Sequence, residues 1–174
     1  AKTSVNIVLT GGISDTAASY ATTAGTATSG LTAIDAQDAD VVLTATDAAT
    51  VAQFNAMDTA TSADIVVSGG VTDIAASFAQ ADGTTTAGTT AIASQDGDAV
   101  LTTTDAATVA QFVRMDAATS ANIVLTGGIS DTAANIAPAG TESTGFTAGT
   151  TQDADVAVTI TGTNPTVAEL NAVA

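Results

Sequence analysis

A unit of 58 residues is written three times along this chain, and that repetition constrains the fold more than any single residue does. Asn6-Ile7-Val8-Leu9-Thr10-Gly11-Gly12 returns as Asp64-Ile65-Val66-Val67-Ser68-Gly69-Gly70 and as Asn122-Ile123-Val124-Leu125-Thr126-Gly127-Gly128. A second block, Gln37-Asp38-Ala39-Asp40-Val41, returns at Gln95 and at Gln152. Self-similarity at a fixed period marks an array, because one supersecondary unit cannot bury its apolar face alone and must stack on a neighbour. The chain therefore reads as a single repeat array over 1–174, with repeat one at 1–60, repeat two at 61–118 and repeat three at 119–174.

Each repeat divides into two similar halves, an apolar β-branched run followed by a cap residue and a short helical pattern. The first half reads Ile7-Val8-Leu9, then Gly11-Gly12, then Asp15 before Thr16-Ala17-Ala18-Ser19-Tyr20; the second reads Val41-Val42-Leu43, then Asp47 before Ala48 to Phe54. Strand-then-helix units at this spacing predict an α/β solenoid of stacked strand-helix coils, six strands forming a parallel sheet. The second-half helix rests on the stripe Val51, Phe54, Met57, which returns as Val109, Phe112, Met115 and as Val167, Leu170, Val173. Where the first two copies carry Asp47 and Asp105, the third carries Asn164 then Pro165, a helix-start pair with Asn expected as N-cap. The first-half helices after Asp15, Asp73 and Asp131 are expected to be shorter, the third stopping at Pro138.

The strand runs are continuous rather than alternating, which predicts strands covered on both faces. The second cover is expected from the Thr-, Ala- and Gly-rich segments at 21–33, 80–91 and 140–150, read as loops with an extra short strand. Another chain is the alternative cover, in which case Val8, Val66 and Val124 mark an association face. An all-β solenoid that uses the Thr runs as strands is the structural alternative. Composition fits thin layers better than one round core: hydrophobic residues make up 45% of the chain, yet there are only four Phe, one Tyr and no Trp.

Two basic against eighteen acidic residues give a net charge of −16, a surface that repels phosphate backbones and anionic lipid headgroups. Neither nucleic acid nor membrane is an expected partner, and no apolar run is long enough to span a bilayer. With no His and no Cys the chain has no imidazole base, thiolate nucleophile or His-based metal site, and no disulfide. Lys2 and Arg114 do not suffice for phosphoryl chemistry, so no enzymatic activity is expected.

The strongest polar constellation is the Gln-Asp-x-Asp step: Asp38 and Asp40, Asp96 and Asp98, Asp153 and Asp155. In a stacked array, carboxylates about 5 Å apart would repel by roughly 3 kcal/mol at an effective dielectric of 20. Such a ladder invites a hard cation with oxygen ligands, which makes these six residues candidate Ca²⁺ ligands; the plainer reading is a solvated loop that keeps the array soluble. Asp15, Asp73, Asp131, Asp47 and Asp105 read as N-caps of the helices that follow them. Thr44-Ala45-Thr46, Thr102-Thr103-Thr104 and Thr159-Ile160-Thr161 resemble the faces of β-solenoid ice-binding proteins, although Thr46 and Thr104 sit where hydroxyls serve helix caps.

The segments Thr46 to Phe54, Gly128 to Ile136 and Thr166 to Ala172 resemble tandem repeats of very large bacterial surface proteins, including cyanobacterial ones. The resemblance covers nearly the whole chain. It implies an extracellular, cell-surface location and a structural role in an adhesin, S-layer or filament, and it carries no functional residues with it. Ala1-Lys2-Thr3 opens almost directly on the first repeat without a signal-peptide pattern, and both ends cut the pattern at whole repeats. The expected function is therefore a secreted structural array whose partners are copies of itself or further repeats of the same chain. The alternative is a surface module whose Asp-lined face holds Ca²⁺ or glycans, with ice binding as a more remote reading.

Overall fold

The computed structural model describes Ile7 and residues 9–174. Among them the order is β1 (Ile13–Asp15), α1 (Ala17–Tyr20), α2 (Ser29–Gln37), β2 (Leu43–Ala45), α3 (Val51–Ala60), β3 (Ile65–Val67) and β4 (Val71–Asp73). It continues with α4 (Ala75–Phe78), α5 (Ala87–Gln95), β5 (Leu101–Thr103), α6 (Val109–Asp116), β6 (Ile123–Leu125) and β7 (Ile129–Thr132). Then come α7 (Ala133–Ile136), a 3-10 turn at Pro138–Gly140, α8 (Thr144–Gln152), β8 (Val158–Thr161) and α9 (Val167–Val173). The architecture is mixed α/β with parallel sheets and no closed barrel among the described residues, so the all-β alternative does not hold.

The strands form three ladders, β1-β2-β3, β4-β5-β6 and β7-β8. In the first, Leu43 lies between Ile13 and Ile65; in the second, Leu101 lies between Val71 and Ile123. Each pairing is parallel, as expected when a helical crossover separates successive strands. Single parallel bridges, Ala49 with Val71 and Ala107 with Ile129, tie each ladder to the next. The step from β3 to β4 and from β6 to β7 is made at the Gly-Gly pairs. Gly70 sits at φ +72°, a left-handed conformation open to glycine, and an added Cβ would run into the Val100 carbonyl.

Two sequence expectations change here. The runs at 65–67 and 123–125 are strands, but β4 and β7 (with β1, their counterpart) are further strands where loops leading to caps were expected. Eight strands are thus present among the described residues in place of six. Ile7 and Leu9 lie outside any strand, and Val8 is outside the described residues. The Thr-rich segments are not loops with an extra strand; they carry the helices α2, α5 and α8, with Thr28, Thr86 and Ser143 as side-chain N-caps. The signal was in the sequence: a Thr or Ser ahead of apolar residues spaced three apart, such as Leu31 and Ile34.

The continuous apolar runs are not covered on both faces. Residues β3 and β6 alternate buried, exposed, buried, with Val66 and Val124 each 43% exposed in the middle. Strand side chains alternate between faces, and here all six long helices pack on the inward side. Val42 and Val100, which precede β2 and β5, are exposed as well. The inward residues Leu43, Ile65, Leu101 and Ile123 join Phe54, Phe112, Met57 and Met115 in one continuous core.

The stripe Val51, Phe54, Met57 is buried as its spacing predicts, and so is Val109, Phe112, Met115. Its third copy is not: Val167 is 75% exposed and Leu170 45%. Tyr20, Phe78 and Ile136 plug equivalent places beneath the short helices α1, α4 and α7. Of these only Tyr20 has a polar tip, and its hydroxyl lies 2.9 Å from the Ile13 carbonyl and 3.0 Å from that of Thr44. Burial, and secondarily the nearby Asp15 charge, pushes its pKa above the ordinary phenol value.

Candidate functional site

The three Gln-Asp-x-Asp steps occupy the same place in each repeat, where α2, α5 and α8 end and the chain turns toward β2, β5 and β8. The first Asp of each step closes its helix: the N–H of Asp38, Asp96 and Asp153 donates to Ile34, Ile92 and Gly149. Its carboxylate reaches across to the preceding half-repeat. Asp38 Oδ2 accepts the Leu9 N–H at 2.7 Å, Asp96 Oδ2 the Val67 N–H at 2.7 Å, and Asp153 Oδ2 the Leu125 N–H at 3.4 Å. Each first Asp is therefore a strap between half-repeats, satisfying a backbone N–H, in β3 and β6 a strand N–H, that would otherwise be orphaned. The second residues of the steps, Asp40, Asp98 and Asp155, are exposed.

Asp96 is the most enclosed of the six, at 9% exposure. Burial raises its pKa to about 6, with a further push from the neighbouring Asp98, while the Val67 N–H pulls the other way. Among the described residues no group of three carboxylates converges as a metal cage. Ca²⁺ takes six to eight oxygens, and each step brings two carboxylates, one of them already holding a backbone N–H.

Four of the remaining recurrent acids, Asp47, Asp73, Asp105 and Asp131, do cap helices, but not their own, whereas the carboxylate of Asp15 accepts the Thr16 N–H at 2.8 Å, ahead of α1. Asp47 accepts the N–H of Ala17 at 2.6 Å, the first residue of α1, and Asp105 does the same for Ala75 of α4. Asp73 accepts the N–H of Val51 at 3.1 Å, opening α3, and Asp131 that of Val109 at 3.0 Å, opening α6. The expectation that each capped the helix following it in sequence is corrected: the donors lie 30 and 22 residues earlier in the chain. Parallel stacking places the loop of one half-repeat over the helix start of its neighbour, so the caps are exchanged.

The helices' own caps are threonines. Thr50, Thr108 and Thr166 each accept from the N3 backbone, and Gln53, Gln111 and Glu169 return a bond to the cap's N–H, completing capping boxes. Asn164 is therefore not the cap of α9, and Pro165 precedes the cap where a first helical residue was expected. The Thr-x-x-Gln/Glu spacing that marks these boxes is legible in the sequence. Gln53 and Gln111 also donate from Nε2 to the Ala21 and Ala79 carbonyls at 2.8 Å, tying the box to the unit before it.

The Thr-x-Thr segments place Thr46, Thr104, Thr159 and Thr161 on the outward, exposed side. Capping belongs to Thr50 and Thr108, four residues further on, so the helix-cap explanation for Thr46 and Thr104 is corrected. The outward rows are short, since a ladder holds at most three strands before the chain steps to the next. Among the described residues no helix is long and apolar enough to cross a membrane.

Comparison of the chain with protein-family models, with curated proteins and with solved structures finds no match.

Proposed function

We propose that the chain is a structural repeat array, an α/β solenoid whose stacked half-repeats serve an extracellular surface layer, adhesin stalk or filament. The observation that carries this reading is the exchange of bonds between units. The same strand register, Asp straps and traded caps recur from repeat to repeat, so each half-repeat is completed by its neighbour rather than by itself. Proteins built this way derive stability from nearest-neighbour interfaces. The outward valines Val42, Val66, Val100 and Val124, each 40–43% exposed, offer a lateral contact between copies of the array. Electron microscopy of the purified chain across a concentration series tests the proposal. Elongated or layered assemblies are the expected result, and a strictly monomeric protein at high concentration overturns self-association.

A second reading, a Ca²⁺- or glycan-holding surface module, is favoured by one observation: Asp98 lies close enough to Asp96 to raise its pKa, and a cation would relieve that repulsion. Calorimetry with Ca²⁺ and melting with and without chelator separate the readings. The strap role of the first Asp in each step predicts no heat and no shift in melting temperature. Ice binding has weaker support, because the outward Thr rows are broken into separate ladders.

A further inference from the structure

The two junctions between repeats are built alike, yet the second is filled where the first is open. At the first, α5 packs on α3; at the second, α8 packs on α6. Each contact is a knob in a hole: Gly88 faces Val51 and Gly145 faces Val109, so closely that a Cβ on either glycine would overlap the valine side chain. Beside the first knob lies an open cleft of about 310 Å³, whose lining includes Val51, Ala52, Asn55, Asp73, Ser77 and Gly88. The 58-residue period gives its counterparts at the second junction: Val113 stands in place of Asn55, Asp131 in place of Asp73 and Asn135 in place of Ser77.

Two of these exchanges decide what fills the place. At the second junction the Asp131 carboxylate takes three donors. Oδ2 accepts the Val109 N–H at 3.0 Å, and Oδ1 accepts both the Thr132 N–H at 2.8 Å and Asn135 Nδ2 at 2.7 Å. The Val113 side chain lies so close to Gly145 that a Cβ there would run into it. Asp131 is 7% exposed as a result. At the first junction Asp73 keeps the two backbone bonds, from the Val51 N–H at 3.1 Å and the Ile74 N–H at 2.8 Å, and no third donor among the described residues reaches it. It is left half-buried in the cleft. Neither the Asn55 amide nor the Ser77 hydroxyl beside it has a partner among the described residues; Thr59 and Thr86 bond only the carbonyls of these two. Ser19, the counterpart of Ser77 in repeat one, shares a hydrogen bond with Thr16 Oγ1 at 3.0 Å, and Ile74 at that place has no hydroxyl to share.

The second junction thus displays what the first lacks: a nitrogen donor for Oδ1 with an apolar body next to it. A carboxylate is best served by a charged donor, because charge-assisted bonds are about twice as strong as neutral ones. An ammonium group has three N–H donors and no acceptor. The side-chain oxygens of Asp73, Asn55 and Ser77 are acceptors for it, and Val51 and Ala52 form an apolar wall for its methylenes. A guanidinium fork wants both carboxylate oxygens, and each already holds a backbone N–H. Ca²⁺ wants six to eight oxygens. A chain of net charge −16 also draws cations toward such a cleft. We infer that the first junction is a binding site for an alkylammonium group, whose N–H takes on Asp73 Oδ1 the place that Asn135 Nδ2 holds on Asp131. A free amine and a partner's lysine side chain offer the same chemistry. The cleft lies within one copy, so the site stands apart from the structural-array reading.

The test is an NMR titration of the isotope-labelled chain with n-butylamine hydrochloride, with Nα-acetyl-lysine methylamide, and with tetramethylammonium chloride, a cation without N–H donors. Two single variants, Ser77→Asn and Asn55→Val, each install the residue that the second junction already carries, and melting temperature checks that both stay folded. Saturable shifts of the Val51 and Ile74 amides are expected with the two primary ammonium probes and not with tetramethylammonium. Ser77→Asn, which supplies the missing donor, is expected to weaken binding by about tenfold or more. Asn55→Val, which removes an acceptor and narrows the cleft, acts in the same direction. Tighter binding of the lysine derivative supports the site with a partner's side chain as its source, and tighter binding of butylamine supports it with a free amine. An absence of saturable shifts, shifts that tetramethylammonium reproduces, or binding that survives unchanged in Ser77→Asn overturns the inference and leaves the structural array standing.

Discussion

Helices α6 and α9 occupy the same place in successive repeats and share the Thr-capped start, yet one has its apolar stripe buried in the core and the other is half in water. Val109, Phe112 and Met115 are at most 7% exposed, whereas Val167 is 75% and Leu170 45% exposed. The difference is not propensity. Both have capping boxes, and the apolar stripe has the same spacing. What differs is that α6 has α8 laid over it and α9 has no such cover among the described residues. Burial of this stripe comes from the helix packed across it, and a residue's worth depends on whether that contact is made.

The largest effect that tests this contrast is Phe112→Ala against Leu170→Ala. Removing a fully buried aromatic costs about 3–5 kcal/mol, whereas Leu170, already half in water, should cost a small fraction of that; urea denaturation of the two variants under conditions where the chain is monomeric measures both. Equal losses would mean that α9 is covered in solution.

Next comes the glycine pair. Gly88→Ala forces a methyl into Val51, and overpacking of this kind costs about 1–3 kcal/mol. Gly30→Ala meets open space and should be neutral or stabilising by up to about 1 kcal/mol, because alanine is the better helix former. Melting temperatures moving in the same direction for both would break the knob-and-hole account.

The Asp straps give a comparable contrast with a pH signature. Asp96→Ala leaves the buried Val67 N–H without an acceptor, a loss of about 1–3 kcal/mol. Asp153→Ala releases a longer bond, 3.4 Å against 2.7 Å, in a half-buried setting and should cost less. Because the folded pKa of Asp96 is raised from 3.8 to about 6, the folded chain holds that proton more tightly than the unfolded chain. The contribution of Asp96 to stability therefore falls as pH rises through that window and stays low above it. Asp96→Asn keeps an acceptor and cannot ionise, so it should melt higher than the wild type at pH 7.5 and lose this part of the pH dependence. A variant whose melting temperature tracks the wild type from pH 4 to pH 7.5 would show that burial does not tax this carboxylate.

The smallest expected effect is at Thr103. Its hydroxyl is buried with no partner among the described residues, at the place filled by Ala45 in β2 and Ile160 in β8. Thr103→Val should stabilise by about 1 kcal/mol, since an unsatisfied hydroxyl is exchanged for a methyl of like shape. A loss of stability on urea denaturation would imply a buried water serving the hydroxyl.

Much of this fold was legible in the repeats: the parallel ladders, the helical stripe of the first two copies and the short helices. The stop at Pro138 was not: α7 ends at Ile136, just where α1 and α4 end without a proline, and Pro138 opens a 3-10 turn rather than stopping the helix. The Thr-rich helices α2, α5 and α8 were missed because Gly30, Gly88 and Gly145 weaken the helical pattern, and two of those glycines are there for a neighbour's valine. The acids at Asp47, Asp73, Asp105 and Asp131 were recognised as caps but assigned to the wrong helices. Nothing local distinguishes a carboxylate that caps the next residue's helix from one that caps a helix 22 or 30 residues earlier.

The sequence by itself determined the unit, its period and the strand-then-helix order of its second half, because periodicity, β-branching and Thr-x-x-Gln boxes act over a few residues. The tertiary structure alone decided which faces are wet and which partner each Asp, Gly and Val meets. Those choices depend on the register of stacking: the chain spends two strand pairings in one ladder before a Gly-Gly pair carries it to the next, and only that placement brings Asp73 to Val51 and Gly88 to the same valine.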